Sequence, residues 1–232
     1  VHLYNSSHLH LHDLTIRASA RDPPPQTKKK KRVYEGMAPL WSPNTDGINP
    51  DSSRHVLIEN NDVSVGDDHV AIKSGMNGVA RGRGYSTENV TVRHNTFRLG
   101  MGVSIGSETA GGIRHVRVHD NTFLGGSWCV ALHVKSAAQR GGVIEDVAFT
   151  HNNVRNTTAL MRLATFGESI VPSGYAPTTV RNLLWAHNSF REGGGKRRTL
   201  RSKFLCPSAG RCSAIRVFNN TLPQQANGNA SM

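Results

Sequence analysis

The sequence contains few cysteines, few aromatic residues and no long apolar run. Three cysteines in 232 residues are too few for a disulfide scaffold and do not form a plausible zinc site. No apolar run approaches the roughly 18–20 residues needed to cross a bilayer, which argues against a membrane protein. Aromatic residues make up only 6% of the chain, and they do not alternate with basic residues as in a platform for stacking nucleic-acid bases.

Acidic residues are also scarce. The chain has 16 of them against 28 lysines and arginines, so its formal net charge is +12. Such a balance favours a polyanionic partner, which could be nucleic acid, an anionic membrane surface or an acidic polysaccharide. Charge alone does not choose among these partners; because the stacking platform and the long apolar run are missing, we expect neither nucleic acid nor a membrane.

One short phrase recurs along the chain. Each copy begins with an apolar residue, any residue and a second apolar residue. Two residues of any type, an Asn, one small or polar residue and a final apolar residue then follow. Consecutive copies place their Asn residues 26 to 36 positions apart. The recurring residues are Asn61, Asn95, Asn121, Asn152, Asn188 and Asn220.

The phrase predicts stacked strands. Alternating apolar and polar residues indicate a strand, and one such strand cannot cover its own apolar face without a neighbouring coil. We therefore predict an all-β, single-stranded, right-handed parallel β-helix, with each Asn in a left-handed turn and bonded to the Asn of the next coil. The alternative is an antiparallel β-sandwich, but the hairpin signals that it requires are scarce.

The domain is expected to span residues 1–222 and to be truncated at both ends. The segment 21–33 combines prolines with a block of basic residues, which predicts a mobile basic loop. Residues 223–232 are expected to form a disordered tail.

Cysteines and glycosylation signals bear on the location of the protein. Cys206 and Cys212 could form a disulfide across a small loop if the protein is secreted, which would leave Cys129 as a buried free thiol. Five Asn-x-Ser/Thr sequons point weakly in the same direction. They begin at Asn5, Asn89, Asn156, Asn219 and Asn229. We expect a secreted glycoprotein, either extracellular or in a cell wall.

Three aspartates have a spacing that folding alone does not explain. Asp46 precedes Asp67 and Asp68 by about one coil, and parallel neighbours lie roughly 4.8 Å apart. The three carboxylates should therefore share one patch, where crowding raises their pKa values. A fold gains nothing from this arrangement, whereas an acid/base catalyst uses it. The alternative is that each aspartate is a solvated turn residue.

The histidines do not have the spacing of a metal site. His69, His94, His115, His119 and His151 recur at strand and turn positions without a compact ligand pattern. We expect neither a metal nor a cofactor.

Several ordered motifs resemble the polygalacturonase family of pectin hydrolases, glycoside hydrolase family 28. They are Asn-Thr-Asp-Gly at 44–47, Gly-Asp-Asp at 66–68, Gly-Ser-Glu-Thr-Ala-Gly-Gly at 106–112, Lys135-Ser136 and Arg-Gly-Gly at 140–142. The motifs run from about residue 44 to 142, and weaker similarity between coils extends over 1–222. The family fold is a pectin lyase-like right-handed parallel β-helix.

The resemblance implies a reaction and assigns roles to residues. Family members hydrolyse α-1,4-linked galacturonan with inversion, and the matching positions make Asp67 the general acid and Asp46 and Asp68 the bases. An inverting pair stands about 6.5–9.5 Å apart, which leaves room for water. His133 and Lys135 match the Arg and Lys with which the family binds the substrate carboxylate.

Two positions depart from the family pattern. Met101 stands where pectin hydrolases usually have a His, and His133 replaces the Arg. These departures leave open a weak or inactive β-helix that binds acidic glycans. A polyanion binder gains nothing from three acids in its cleft, so we favour the hydrolase, and we expect it to be a monomer.

Overall fold

The structure is a computed structural model. It describes residues 1–18, 42, 44–76, 78–125, 130–137, 140–155, 157, 159–166, 177–191, 203–206 and 210–221. The predicted basic loop at 21–33, the predicted tail at 223–232 and Cys129 lie outside these residues.

The described strands form three long parallel sheets. Sheet I contains, in spatial order, β2 (Ser7–His12), β5 (Arg54–Glu59), β8 (Thr87–Arg93), β11 (Ile113–His119), β14 (Val143–Thr150), β17 (Thr179–Ala186) and β20 (Cys212–Phe218). Sheet II contains β3 (Thr15–Arg17), β6 (Asp62–Ser64), β9 (Thr96–Phe97), β12 (Thr122–Phe123), β15 (Asn153–Arg155) and β18 (Ser189–Arg191). Sheet III contains β7 (Val70–Ile72), β10 (Val103–Ile105), β13 (Val130–Ala137), β16 (Ala159–Phe166) and β19 (Lys203–Phe204).

The chain passes through sheets I, II and III in turn and then begins the next coil. A shorter pair joins β1 (His2–Tyr4) to β4 (Asn49–Asp51). Every described pairing between strands is parallel, for example β8 with β11 and β7 with β10. The predicted β-helix is therefore confirmed, and the antiparallel sandwich is wrong. The one helix in the described part of the chain, α1 (Gly78–Gly82), has five residues. It is too short to span a membrane.

Apolar residues of successive coils stack into the core. In sheet I the register aligns Ile58, Val92, Val118, Phe149 and Trp185. All five side chains are fully buried. Each coil thus covers the apolar face of its neighbours, as the repeated phrase predicts.

The recurring Asn residues form a ladder inside the turn between sheets I and II. The side-chain amide of each Asn donates to the side-chain oxygen of the Asn in the next coil, at 2.9–3.0 Å. The series runs from Asn61 to Asn220. The predicted bonding is confirmed, but the predicted backbone conformation is wrong. The left-handed residue is the one before each Asn, as at His94 and Asp120, where φ is 55°. That residue turns the chain, so the following Asn can point inward and satisfy buried backbone groups.

The end of the described chain carries a disulfide. Cys206 and Cys212 are joined, and their Cα atoms lie 5.8 Å apart.

Candidate active site

Two loops of consecutive coils meet beside the start of sheet III. The Asp46 loop precedes β4, and the loop with Asp67 and Asp68 joins β6 to β7. The Gly47 amide donates to the Asp68 carbonyl at 2.9 Å. Gly66 is required here, because a Cβ atom would lie 1.8 Å from a carbonyl oxygen of the facing loop. These contacts hold the two acidic segments against each other.

The three acidic side chains form one cluster. Carboxylate oxygens of Asp46, Asp67 and Asp68 lie within 4.8 Å of one another, so the structure brings together the residues that the sequence predicts as neighbours. One oxygen of each acid thus lies nearer to the other two than the roughly 6.5–9.5 Å that separates the two carboxyl groups of an inverting pair. The centres of the carboxyl groups lie farther apart than their nearest oxygens, and the separation of roughly 6.5–9.5 Å refers to whole groups.

Asp68 is the most enclosed of the three acids, with 3% of its surface exposed. The Ser104 hydroxyl donates to its Oδ1 at 2.7 Å, and the Lys135 ammonium group donates to its Oδ2. Burial raises the pKa of Asp68 to about 6, against the lowering effect of Lys135. Asp68 is therefore mainly ionised at neutral pH.

Asp67 is half-buried and has a different environment. Its Oδ1 accepts a hydrogen bond from the backbone amide of Asp68 at 2.8 Å. Among the described residues, no lysine or arginine forms an ion pair with its carboxylate. Burial, and then the negative charge of Asp46, raise the pKa of Asp67. Asp67 therefore retains a proton at higher pH than an ordinary aspartate.

Asp46 is held by a cation that the sequence analysis did not assign. The Lys73 ammonium group donates to its Oδ2 at 2.9 Å, and the Asn49 amide donates to the same oxygen at 2.8 Å. Lys73 directly follows β7, whose Ile72 points into the core. Strand alternation therefore places Lys73 on the outer face, and this was the signal that could have identified it.

The two residues expected to bind substrate have unequal environments. His133 lies between Ser104 and Arg162 in the register of sheet III, with 6% of its surface exposed. Burial, and then the charges of Lys135 and Arg162, lower its pKa well below the usual value, so His133 is neutral. Lys135 forms an ion pair with Asp68. Arg162, which the sequence analysis did not single out, occupies the same outward column one coil further on.

Met101 contacts the acid pair through its backbone. Its backbone amide donates to the Asp67 carbonyl at 2.8 Å, so the segment that replaces the family His adjoins the predicted acid. A thioether has no proton to exchange at this position.

The spacing of the carboxylates could also hold a hard cation such as Ca²⁺. However, Lys73 and Lys135 already neutralise two of the three acids. A cation would have to displace both ammonium groups, so the cluster fits acid/base chemistry better than metal binding.

Comparisons with known proteins give the same relationship as the motifs. The family described as Glycosyl hydrolases family 28 matches residues 1–222. A polygalacturonase of Ralstonia nicotianae is 39% identical over 118 residues, which are 49% of this chain and 20% of the relative. An endo-polygalacturonase of Pectobacterium carotovorum is 38% identical over 118 residues, 51% of this chain and 27% of the relative. The chain thus matches about a fifth to a quarter of the length of these two proteins.

Solved structures share the fold. The exopolygalacturonase of Thermotoga maritima superposes with a TM-score of 0.64 at 24% identity, over 88% of this chain and 42% of that protein. A family 28 exopolygalacturonase of Yersinia enterocolitica gives 0.63 at 21% identity, over 77% and 31%. The fold is the right-handed parallel β-helix, and the chain belongs to glycosyl hydrolases family 28.

Proposed function

We propose that the protein hydrolyses α-1,4-galacturonosyl linkages in pectin or a related acidic polysaccharide by acid/base catalysis. The observation that carries the proposal is the carboxylate cluster, in which two acids have an ammonium partner and the third has none within the part of the chain that the structure describes. Clustered carboxyl groups with unequal partners provide an acid and a base at one pH. The similarity to proteins named polygalacturonases supports this class of substrate.

Asp67 is the proposed general acid: the pKa values of both Asp67 and Asp68 are raised, but Asp68 pairs with an ammonium group and no described cation pairs with Asp67. It donates its carboxyl proton to the glycosidic oxygen as the bond from that oxygen to the anomeric carbon breaks. Asp46 and Asp68 are the proposed bases, since their lysine partners favour the ionised form. They hold a water molecule whose oxygen bonds to the anomeric carbon, and one of them takes its proton.

Inversion at the anomeric carbon is the stereochemical proposal. It rests on the family resemblance, because the 4.8 Å limit applies to one oxygen of each acid, whereas retaining and inverting enzymes differ in the separation between whole carboxyl groups. Proton NMR of freshly released product distinguishes the two outcomes. β-anomers released from α-linked substrate support inversion, and α-anomers contradict it.

The substrate carboxylates need cations, and the charge of +12 attracts a polyanion. Neutral His133 does not provide a guanidinium fork. Arg162 stands one coil away in the same outward column, so we propose that it supplies the charge that position 133 lacks. Lys135 then has two tasks, to hold Asp68 and to attract the substrate.

An inactive glycan-binding β-helix is the second candidate, favoured by Met101 and His133. The test compares wild type with Asp67→Asn, using reducing-end release and calorimetric binding of polygalacturonate. An enzyme loses about 10²- to 10⁴-fold in rate with binding retained, whereas a binder has no turnover in either form. Asp62→Asn is the matched control, because this acid pairs with Arg98 on sheet II instead. Absence of hydrolysis by the folded wild type would overturn the enzymatic proposal.

We also propose an extracellular or cell-wall location. The disulfide of Cys206 with Cys212 suits an oxidising compartment. Three sequon asparagines, Asn5, Asn89 and Asn219, are exposed and could carry glycans. Mass spectrometry of protein expressed with a secretion signal in a eukaryotic host tests this proposal by detecting glycans at these positions.

A further inference from the structure

His69 directly follows the acid pair and is fully buried. Its ring packs against Phe97, with the ring centroids 5.0 Å apart. Its backbone joins both parts of the site. The His69 carbonyl accepts from the Ile48 amide, two residues after Asp46, at 3.1 Å, and the His69 amide donates to the Gly102 carbonyl at 2.8 Å.

Both ring nitrogens of His69 bind one short segment, residues 99–102. Nδ1 accepts a hydrogen bond from the Gly102 amide at 3.1 Å, and Nε2 lies 3.0 Å from the Leu99 carbonyl. An amide can only donate and a carbonyl can only accept, so these partners select the neutral ring with its proton on Nε2. Burial lowers the pKa of His69 to about 4, which agrees with that state.

The segment held by His69 supports the proposed acid. The Met101 amide, between the two anchored residues, donates to the Asp67 carbonyl at 2.8 Å. The fit is tight, because a Cβ atom on Gly100 would lie 2.4 Å from His69 Nε2. A Cβ atom on Gly102, where φ is +101°, would lie 2.0 Å from the Val130 carbonyl oxygen. The segment therefore has little room to move while the ring is in place.

We propose that His69 is a positioning residue for catalysis, whose two ring hydrogen bonds fix the segment 99–102 and thereby the place of Asp67 relative to Asp46 and Asp68. This inference rests on the proposed function. A residue that served only to fill the core would need the shape of the ring and not its two nitrogens. The hydrogen bonds and the shape can be separated by substitution.

Three variants make this separation. His69→Phe keeps a ring and loses both bonds. His69→Asn places an oxygen near Nδ1 and can accept from Gly102, while His69→Gln places a donor near Nε2 and can reach Leu99. Val118→Ala is the matched control, because it removes buried apolar volume from sheet I, away from the acids.

Kinetics on polygalacturonate, corrected for the folded fraction, give the first readout. In His69→Phe we expect kcat to fall by about 10- to 100-fold with KM changed less than about twofold, because misplaced groups slow the chemical step. His69→Asn or His69→Gln should recover part of the loss. Val118→Ala should keep wild-type kcat per folded molecule. A wild-type kcat in folded His69→Phe overturns the inference.

A second readout does not require activity. Carbon-13 NMR follows the titration of the Asp67 carboxyl group in each variant that folds, and the His69→Asn and His69→Gln variants keep the test available if His69→Phe does not fold. The pH midpoint of the Asp67 titration should change in the His69 variants and should stay at the wild-type value in Val118→Ala. Unchanged midpoints overturn the positioning role. A wild type that fails to hydrolyse polygalacturonate while the midpoints move instead overturns the proposed function alone.

Discussion

Replacing Lys135 by Met is expected to change the pH dependence of hydrolysis as well as its rate. The Lys135 ammonium group donates to Asp68 Oδ2, and the two side chains are only 18% and 5% exposed. Burial raises the pKa of Asp68 to about 6 even though Lys135 opposes this rise. Without the cation, burial acts unopposed by this partner and the pKa of Asp68 moves higher.

The size of the effect follows from the cost of leaving a buried charge without its partner. That cost is about 3–5 kcal/mol, and one pKa unit corresponds to about 1.4 kcal/mol. The acid limb of the pH–rate profile should therefore move upward by about two pH units or more. Because a base acts only when ionised, activity near pH 5 should fall by roughly 50-fold or more relative to the fall near pH 8.

Stability should follow pH in the opposite direction. The pKa of Asp68 is raised in the folded protein, so its contribution to stability is fully present below the unfolded pKa and is lost as the pH rises through the folded value of about 6. Removing Lys135 increases that loss. Lys135→Met should therefore unfold more easily near pH 8 than near pH 5, although its relative activity is better at the higher pH.

The assay measures initial rates of reducing-end release from polygalacturonate between about pH 4 and pH 9, with the folded fraction determined by circular dichroism at each point. Lys135→Arg is the matched control, because it retains the positive charge and should keep the acid limb close to that of wild type. If Lys135→Met lowers the rate by one constant factor at every pH, Lys135 serves only to bind substrate and the reasoning about Asp68 is refuted.

Four further substitutions test other parts of the molecule. Arg162→Gln should raise KM for polygalacturonate by about tenfold or more, since a charge-assisted hydrogen bond contributes about 1.5–3 kcal/mol. KM for fully methyl-esterified pectin, which lacks the free carboxylates, should stay unchanged. Equal effects on both substrates would contradict a contact between Arg162 and a substrate carboxylate. Asn121→Ala leaves the buried backbone amide of Asn95 and the backbone carbonyl of Val92 without this hydrogen-bond partner. Urea unfolding should therefore show a loss of about 2–6 kcal/mol in the free energy of unfolding. The loss should be smaller for Asn220→Ala at the end of the ladder, and equal losses would argue against the ladder as the cause. Cys212→Ser removes the disulfide between residues with a sequence separation of 6 and should lower the free energy of unfolding by about 2 kcal/mol. Urea unfolding measures this loss, and reduced wild type should lose the same amount.

The parts of the fold that repeat could be predicted from the sequence. A ladder of Asn residues and columns of apolar residues leave a mark in every coil, and Asp46 precedes Asp67 by about one coil, so the acids were expected to meet. The partners of the acids could not be predicted in this way. Lys73 and Lys135 each reach an acid from a neighbouring strand, and which oxygen a long side chain reaches depends on rotamers that a repeat pattern does not specify.

The asymmetry of the acid cluster assigns the proton without reference to the family. Lys73 binds Asp46 and Lys135 binds Asp68, whereas Asp67 has a backbone amide as its partner. An ammonium group favours an ionised carboxylate, and the negative charge that remains on Asp46 disfavours ionisation of Asp67. The ammonium partners therefore favour charged Asp46 and Asp68 with the proton on Asp67, while burial, which raises the pKa of Asp68 to about 6, acts against the charged form of Asp68. The charge state with the proton on Asp67 is the one that donates a proton to a leaving oxygen and takes one from water in the same step.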